Sequence, residues 1–286
     1  MNAFLLSVLL GVVEGLTEFL PVSSTAHLRI TEALVGVDLG NGYWKMFTIV
    51  IQLGAILVLP IFFRKRIAEF WTSFARAARA GEGWATHPLS LTMAAFVVTA
   101  VPSLLLVKVI RRHLESLVVM GWALVIGGVV MWVVDALYAR RRLRTHTDDM
   151  AKMGLGQALW IGACQITSGV FPGVSRSMST IAGGQLAGMT RPAALEFSFF
   201  LSIPTMVAAT GYDFVKTLWS AQGSPLGAVA MPAHGWALLA IGFVVSFVVA
   251  YGVVAWFMSW VRTRGFAPFA VWRLLAGAGV LLFMVR

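Results

Sequence analysis

Apolar residues run through this chain in long blocks, without the strict alternation of a half-buried strand. Four blocks, residues 46 to 63, 89 to 107, 117 to 134 and 236 to 261, carry no charged side chain over the roughly 18 residues that a bilayer crossing needs. Two more have a single interruption: residues 197 to 212 close at Asp213, and residues 266 to 285 contain Arg273. Such blocks cross a membrane only as helices, whose backbone groups are satisfied internally. The pattern predicts an all-α polytopic membrane protein with six transmembrane helices.

Two regions, residues 1 to 35 and 154 to 190, break this rule: each is too short or too polar to cross alone. They resemble one another. "GVVEGLTEFLPVSST" starts at Gly11 and "GACQITSGVFPGVSRS" at Gly162; in both a Gly precedes a Pro by ten residues, and Glu14 falls opposite Gln165. Pro21 aligns with Pro172, and after one extra residue Ser24 can be set against Ser175. "FTIVIQLGA" at Phe47 and "FSFFLSIPT" at Phe197 follow 26 and 25 residues after these prolines. Each half then has one polar hairpin followed by three spans, and an odd number of spans turns the second half over. We expect one membrane domain over 1-286, built as an inverted-topology repeat of 1-138 and 154-286. Its re-entrant helical hairpins occupy about 1-35 and 154-190.

Composition agrees: 59% of the 286 residues are hydrophobic and 12% charged, with a mean hydropathy of +0.84, which excludes an ordinary soluble domain. The net charge of +10 sits in loops, which argues for topology and against nucleic acid as a partner. Arg64, Lys65, Arg66, Arg76 and Arg79 follow the first span, Arg140, Arg141, Arg142, Arg144 and Lys152 the third, and Arg262 and Arg264 the fifth. Alternating spans put these loops on one side, which the positive-inside rule makes cytoplasmic. Lys108, Arg111, Arg112 and Lys216 fall opposite, where Arg29, Lys45 and Arg286 dilute the bias. Residues 1 to 13 lack a basic n-region and a cleavage site, so they are expected to be retained. Cys164 has no partner for an internal disulfide.

The hairpins concentrate the chemistry. Pro21 and Pro172 end one half-helix, and Ser23 or Ser24 and Ser175 cap the next, so two helix N-termini point free N–H groups into the membrane interior. Such a place suits an anion. Glu14 and Glu18 lie four apart, on one helical face, and intramembrane carboxylates so close call for a cation or a shared proton. A divalent cation, Mg2+ or Ca2+, held jointly with substrate phosphate oxygens would satisfy them; Glu18 is equally a candidate base. Ser23, Ser24 and Thr25 supply hydroxyls, with His27 one turn beyond Ser24; a hydroxyl nucleophile needs a nearby base, for which His27 or Glu18 could serve as a catalytic residue, and the plain alternative is a helix cap with a surface histidine. In "PGVSRSMST", Gly173, Ser175, Arg176, Ser177 and Thr180 surround a guanidinium with hydroxyls behind a Pro-Gly turn, which reads as a phosphate cradle over the plain alternative of an arginine snorkelling to the interface. Lesser candidates are Gln52 as a cavity residue, Asp135 near the headgroups, Glu196 at an interface, and Arg273 snorkelling to the cytoplasmic face. The other histidines, His87, His113, His146 and His234, are loop residues by position.

These motifs resemble those of the undecaprenyl-pyrophosphate phosphatase, or bacitracin-resistance, family. "GVVEGLTEFLPVSSTAH" is similar to its first motif and "PGVSRSMST" to its second; "IQLGAIL", "EFSFFLSIPT" and "FAVWR" extend the resemblance over most of the chain. Ala26 and Met178 depart from the glycines common at those places. The resemblance implies Glu14 and Glu18 as the acidic pair, Ser24 and His27 as polar residues of the first loop, and Arg176 as the pyrophosphate-binding arginine. It implies hydrolysis of undecaprenyl pyrophosphate to the monophosphate, recycling the carrier lipid for peptidoglycan and other envelope polymers. A bacterial plasma membrane, divalent-cation dependence and a site open to the periplasm are part of that expectation. Expected partners are the lipid pyrophosphate, membrane lipids and, as an option the sequence leaves open, a second copy of the chain in a homo-oligomer.

Without the resemblance, inverted repeats with broken helices favour a secondary transporter, in its sharper form a polyprenyl-phosphate flippase. A transporter needs the anion site but not a nucleophile, base and metal pair together.

Overall fold

The computed structural model describes residues 2–37, 42–106, 110, 116–140, 145–219 and 233–284. Of the residues used above, Lys108, Arg111, Arg112, His113, Arg141, Arg142, Arg144 and Arg286 lie outside this set, as do the side chains of Lys45, Asp213 and Lys216. The described chain is helical, with no strand beyond one isolated bridge between Thr147 and Met189.

Helices α1 (Ala3–Thr17) and α2 (Ser24–Val35) form the first hairpin. The first span is broken: α3 (Gly42–Ile56) stops at Leu57 and resumes as α4 (Val58–Phe62), because Pro60 cannot donate to Ile56. The chain then turns by 65° at Phe63 into the amphipathic α5 (Arg64–Ala80). Next come α6 (Pro88–Leu105) and α7 (Leu117–Ala139). The second hairpin is α8 (Leu155–Val170) and α9 (Arg176–Leu186), followed by α10 (Arg191–Trp219), α11 (Ala233–Thr263) and α12 (Ala267–Gly279), which ends in a π-turn over Val280–Met284. Among the described residues, five helices have the length and apolarity to cross a bilayer, and Met46–Phe62 with its bent continuation is the sixth candidate. The protein is a multi-pass membrane protein.

Glycines set the helix pairings. A Cβ on Gly11 would stand 2.8 Å from the Gly242 carbonyl and one on Gly15 2.7 Å from that of Ser246, so α1 lies parallel to α11 at backbone contact. In the same way Gly162 abuts Ala95 and Gly169 abuts Ser103, which lays α8 parallel to α6. Since α6 starts, and α11 finishes, at the end of the bundle that bears α5, the two hairpins enter from opposite ends. Helices α7 and α12 close the bundle as an antiparallel pair, Gly121 against Gly277 and Gly128 against Ala270. A cluster of aromatic rings (Phe19, Phe63, Phe197, Phe199, Phe257, Phe266, Phe269) fills the interior. Trp122, Val133, Leu275 and Phe283 face outward, as a lipid-exposed surface requires.

Ion pairs gather at the α5 end. Arg66 binds Asp149 at 2.5 Å and Glu196 at 3.1 Å, and Arg191 binds Asp135 at 2.6 Å. Asp135 is buried and also accepts from the Phe266 backbone N–H at 3.0 Å, pinning the corner between α11 and α12. His87 caps α6 by accepting from the Leu89 N–H, and His234 falls in the first turn of α11 rather than in a loop.

Candidate active site

The tips of the two hairpins meet inside the bundle. After Pro21 and after Pro172 the chain reverses through a serine in the left-handed region: Ser23 has φ 75° and Ser175 φ 73°, and among the described residues no other non-glycine residue has positive φ. Both are N-caps, Ser23 accepting from the Ala26 N–H and Ser175 from that of Met178. Such backbone is strained by about 1–3 kcal/mol at each position and persists where its surroundings over-determine it. This corrects the sequence alignment: Ser23, not Ser24, occupies the place of Ser175, and Ser24 and Arg176 are the equivalent first residues of α2 and α9. The extra residue of the second tip is Gly173, with φ 100°, where a Cβ would stand 2.8 Å from the Met120 carbonyl.

One chain of contacts joins the tips. The Ser24 hydroxyl donates to Glu18 Oε2, and Arg176 Nη2 donates to Glu18 Oε1 at 3.2 Å. Glu18 is thus held between a hydroxyl of its own hairpin and a guanidinium of the other. Arg176 Nη1 is buried without a partner, and so are both carboxylate oxygens of Glu14, which is fully buried one turn before Glu18 and within electrostatic reach of both Glu18 and Arg176. The N–H groups in the first turns of α2 and α9 add two positive helix ends to the same spot.

A cavity of about 800 Å³ opens from here, with Glu18, Ser23, Ser24, Thr25, Gly173, Ser175 and Arg176 at its polar floor. Gln52 lines it, as the sequence suggested, together with Gln165, which donates to Thr99 and Thr205 at 3.1 Å each. Its outer wall is largely apolar, from Phe96, Leu104, Met206 and Tyr212 towards the last turns of α6 and the far part of α10. A polar floor under an apolar wall suits a charged headgroup on a hydrocarbon tail.

The remaining predicted residues stand behind this floor. Ser177 bonds Ser175 at 3.1 Å and the Leu20 carbonyl of the other hairpin at 2.9 Å, and Thr180 bonds Ser198 at 2.6 Å. His27 is turned away from the cavity. Its Nε2 accepts from Trp272 Nε1 at 2.7 Å and its Nδ1 lies 2.8 Å from the Ser23 carbonyl. Because an indole N–H only donates, Nδ1 carries the proton and donates to Ser23.

Arg273 was expected to snorkel to the surface. It is instead fully buried, with Nη1 donating to the Pro21 carbonyl at 3.1 Å and Nη2 to those of Ala123 and Gly173 at 3.0 Å each. An arginine two turns inside an apolar span was the available signal; the sequence does not say which way its side chain points.

Among the described residues no three His, Cys, Asp or Glu side chains converge as a metal cluster. Glu14 and Glu18 nevertheless present a carboxylate pair with two orphaned oxygens, a donor set that fits a hard cation if substrate oxygens complete its shell.

The chain matches the family described as bacitracin resistance protein BacA over residues 7–279. It is 64% identical to the undecaprenyl-diphosphatase of Koribacter versatilis (strain Ellin345), with 100% of both chains covered. Proteins of the same name are similar at 39% identity in Caldanaerobacter subterraneus subsp. tengcongensis, covering 100% of this chain and 97% of the relative, and at 42% in Nitrobacter hamburgensis, covering 95% and 93%.

Proposed function

Because the chain belongs to the bacitracin resistance protein BacA family, we infer from that premise that it is an undecaprenyl-diphosphatase. It is a membrane hydrolase that splits the phosphoanhydride of undecaprenyl pyrophosphate with water, giving undecaprenyl phosphate and inorganic phosphate and so recycling the carrier lipid. The observation that carries this reading is the contact chain Ser24–Glu18–Arg176 between the hairpin tips. A hydroxyl bonded to a carboxylate beside a half-free guanidinium is a nucleophile, a base and an anion holder in one place. A transporter's anion site would not call for the first two, and the transporter reading is not favoured.

The pyrophosphate enters along the cavity while the polyprenyl tail stays against the apolar wall and the surrounding lipid. Arg176 offers Nη1, and Ser175, Thr25 and the first-turn N–H groups of α2 and α9 offer further donors to the phosphoryl oxygens. Phosphoryl transfer leaves little covalent work to the protein, so positioning and charge neutralisation supply most of the rate. Ser24 stands at the terminal phosphorus, and Glu18 receives the proton that Ser24 gives up on attack. The phosphorus–oxygen bond to undecaprenyl phosphate then breaks, and water hydrolyses the resulting phosphoserine. If Ser24 holds a water instead, Glu18 takes the proton of that water, and the products are the same. His27, with both nitrogens engaged, orients the Ser23 turn rather than moving a proton.

Glu14 and Glu18 are the residues that would hold a divalent cation, Mg2+ or Ca2+, jointly with substrate oxygens. When bound, it would neutralise charge on the phosphoryl oxygens and relieve the repulsion between the two carboxylates.

The bacterial plasma membrane is the proposed location, with the cavity open to the periplasm. In support, the cavity leads to the ends of α6 and α10 opposite Arg64, Lys65, Arg66, Lys152, Arg262 and Arg264, and the basic end is cytoplasmic by the positive-inside rule.

The test is phosphate release from undecaprenyl pyrophosphate by the purified protein in detergent. One phosphate per undecaprenyl phosphate formed is the expected result; folded protein that releases none overturns the reading.

A further inference from the structure

We propose that Arg273 is a positioning residue that sets the spacing of the two hairpin tips, and so the placement of Arg176 against Glu18 and Ser24. The proposal rests on the hydrolase reading above.

The guanidinium bonds three carbonyls from three separate elements: Pro21 of the first tip, Gly173 of the second and Ala123 of α7. Across the gap between tips, the described residues otherwise offer the Ser177 bond to the Leu20 carbonyl and the Arg176–Glu18 pair itself. Both depend on the tips already being in register. Arg273 refers both tips to a third, rigid body, the α7–α12 pair.

The bundle is shaped around this side chain. A Cβ on Gly127 would stand 3.0 Å from Arg273 Cζ, and one on Gly128 3.2 Å from Arg273 Cβ. The paired glycines of α7 therefore leave the groove that the arginine fills. Its chemistry is specific as well. A planar fork with five N–H donors can serve three carbonyls in fixed directions, whereas a lysine offers one compact ammonium on a flexible stem. No carboxylate pairs with Arg273 among the described ion pairs. A buried cation so placed is weak evidence for stability, since apolar residues of like volume commonly serve a core as well or better. Holding the tips gives it a role that an apolar residue cannot take. Arg273 does not line the cavity, so it acts through the tips and not on substrate.

The experiment compares the full-length wild type with Arg273→Lys, Arg273→Met and Gly127→Ala, measuring kcat, KM and Tm for phosphate release from undecaprenyl pyrophosphate in detergent. Gly127→Ala shifts the guanidinium while keeping its charge, which guards against the case in which Arg273→Met fails to fold. A displacement near 1 Å at a catalytic constellation costs on the order of 100-fold. Arg273→Lys is expected to lower kcat by about that factor, and Gly127→Ala by about tenfold or more, with KM within about threefold of wild type and Tm little changed. If kcat per folded molecule stays within about threefold of wild type in both, the inference is overturned and the hydrolase reading stands. If the wild type itself releases no phosphate, the hydrolase reading fails and takes this inference with it.

Discussion

Arg176, the first residue of the second hairpin's inner helix, donates to Glu18 of the first hairpin at 3.2 Å, and the same carboxylate accepts from Ser24. Residues 158 positions apart in sequence thus share one carboxylate at the base of one cavity. Neither hairpin alone brings a carboxylate, a hydroxyl and a guanidinium into contact.

Arg176→Ala is expected to abolish measurable phosphate release, a loss of at least about 100-fold, because a donor aimed at developing charge contributes that much or more. Glu18→Gln should lose nearly as much. Steady-state assays on purified variants, with Tm checked, decide this; more than about a tenth of wild-type activity in Arg176→Ala would remove the second hairpin from the site.

Ser24→Ala separates the two roles open to Ser24. An attacking hydroxyl predicts a loss of about 1,000-fold or more, and acid quenching of wild type with terminally labelled substrate should trap label on Ser24. A variant near full activity would exclude Ser24 as nucleophile while leaving the phosphate cradle standing.

His27→Asn should keep most activity and an unaltered pH profile, since an amide N–H can replace Nδ1 as the donor to the Ser23 carbonyl. His27→Ala should lose about tenfold by loosening the strained cap. Loss of one limb of the pH–rate profile in His27→Asn would instead make the imidazole a proton carrier.

Chelation should stop phosphate release, and Mg2+ or Ca2+ should restore it. In Glu14→Gln, the metal concentration for half-maximal activity should rise at least about tenfold, with a smaller effect at saturation. Full activity in the presence of a strong chelator contradicts the metal role of the Glu14–Glu18 pair.

Much of this site was legible in the sequence because polar residues inside apolar blocks stand out. Glu14, Glu18 and Arg176 announce themselves by their cost in a membrane, Pro21 and Pro172 mark the turns, and Ser24 stands out by following Pro21. Six candidate spans followed from block length alone, and even the break before α4 has its cause in Pro60. What stayed hidden depends on direction and register. Ser23 rather than Ser24 matches Ser175 because the strained cap exists only in the folded tip. His27 follows Ser24 by three residues, yet α2 rotates it to Trp272. Arg273 reads as an arginine snorkelling to the surface, and it is buried because distant backbone carbonyls, those of Pro21 and Gly173, need a donor there.

The most direct test of a single site shared between hairpins is a double-mutant cycle on kcat/KM for phosphate release with Glu18→Gln, Arg176→Lys and the double variant. Residues that act as a unit lose little more together than the worse one loses alone. The account predicts that the double variant stays within about threefold of the worse single variant. Losses that multiply in full would mean that Glu18 and Arg176 act independently, and would contradict it.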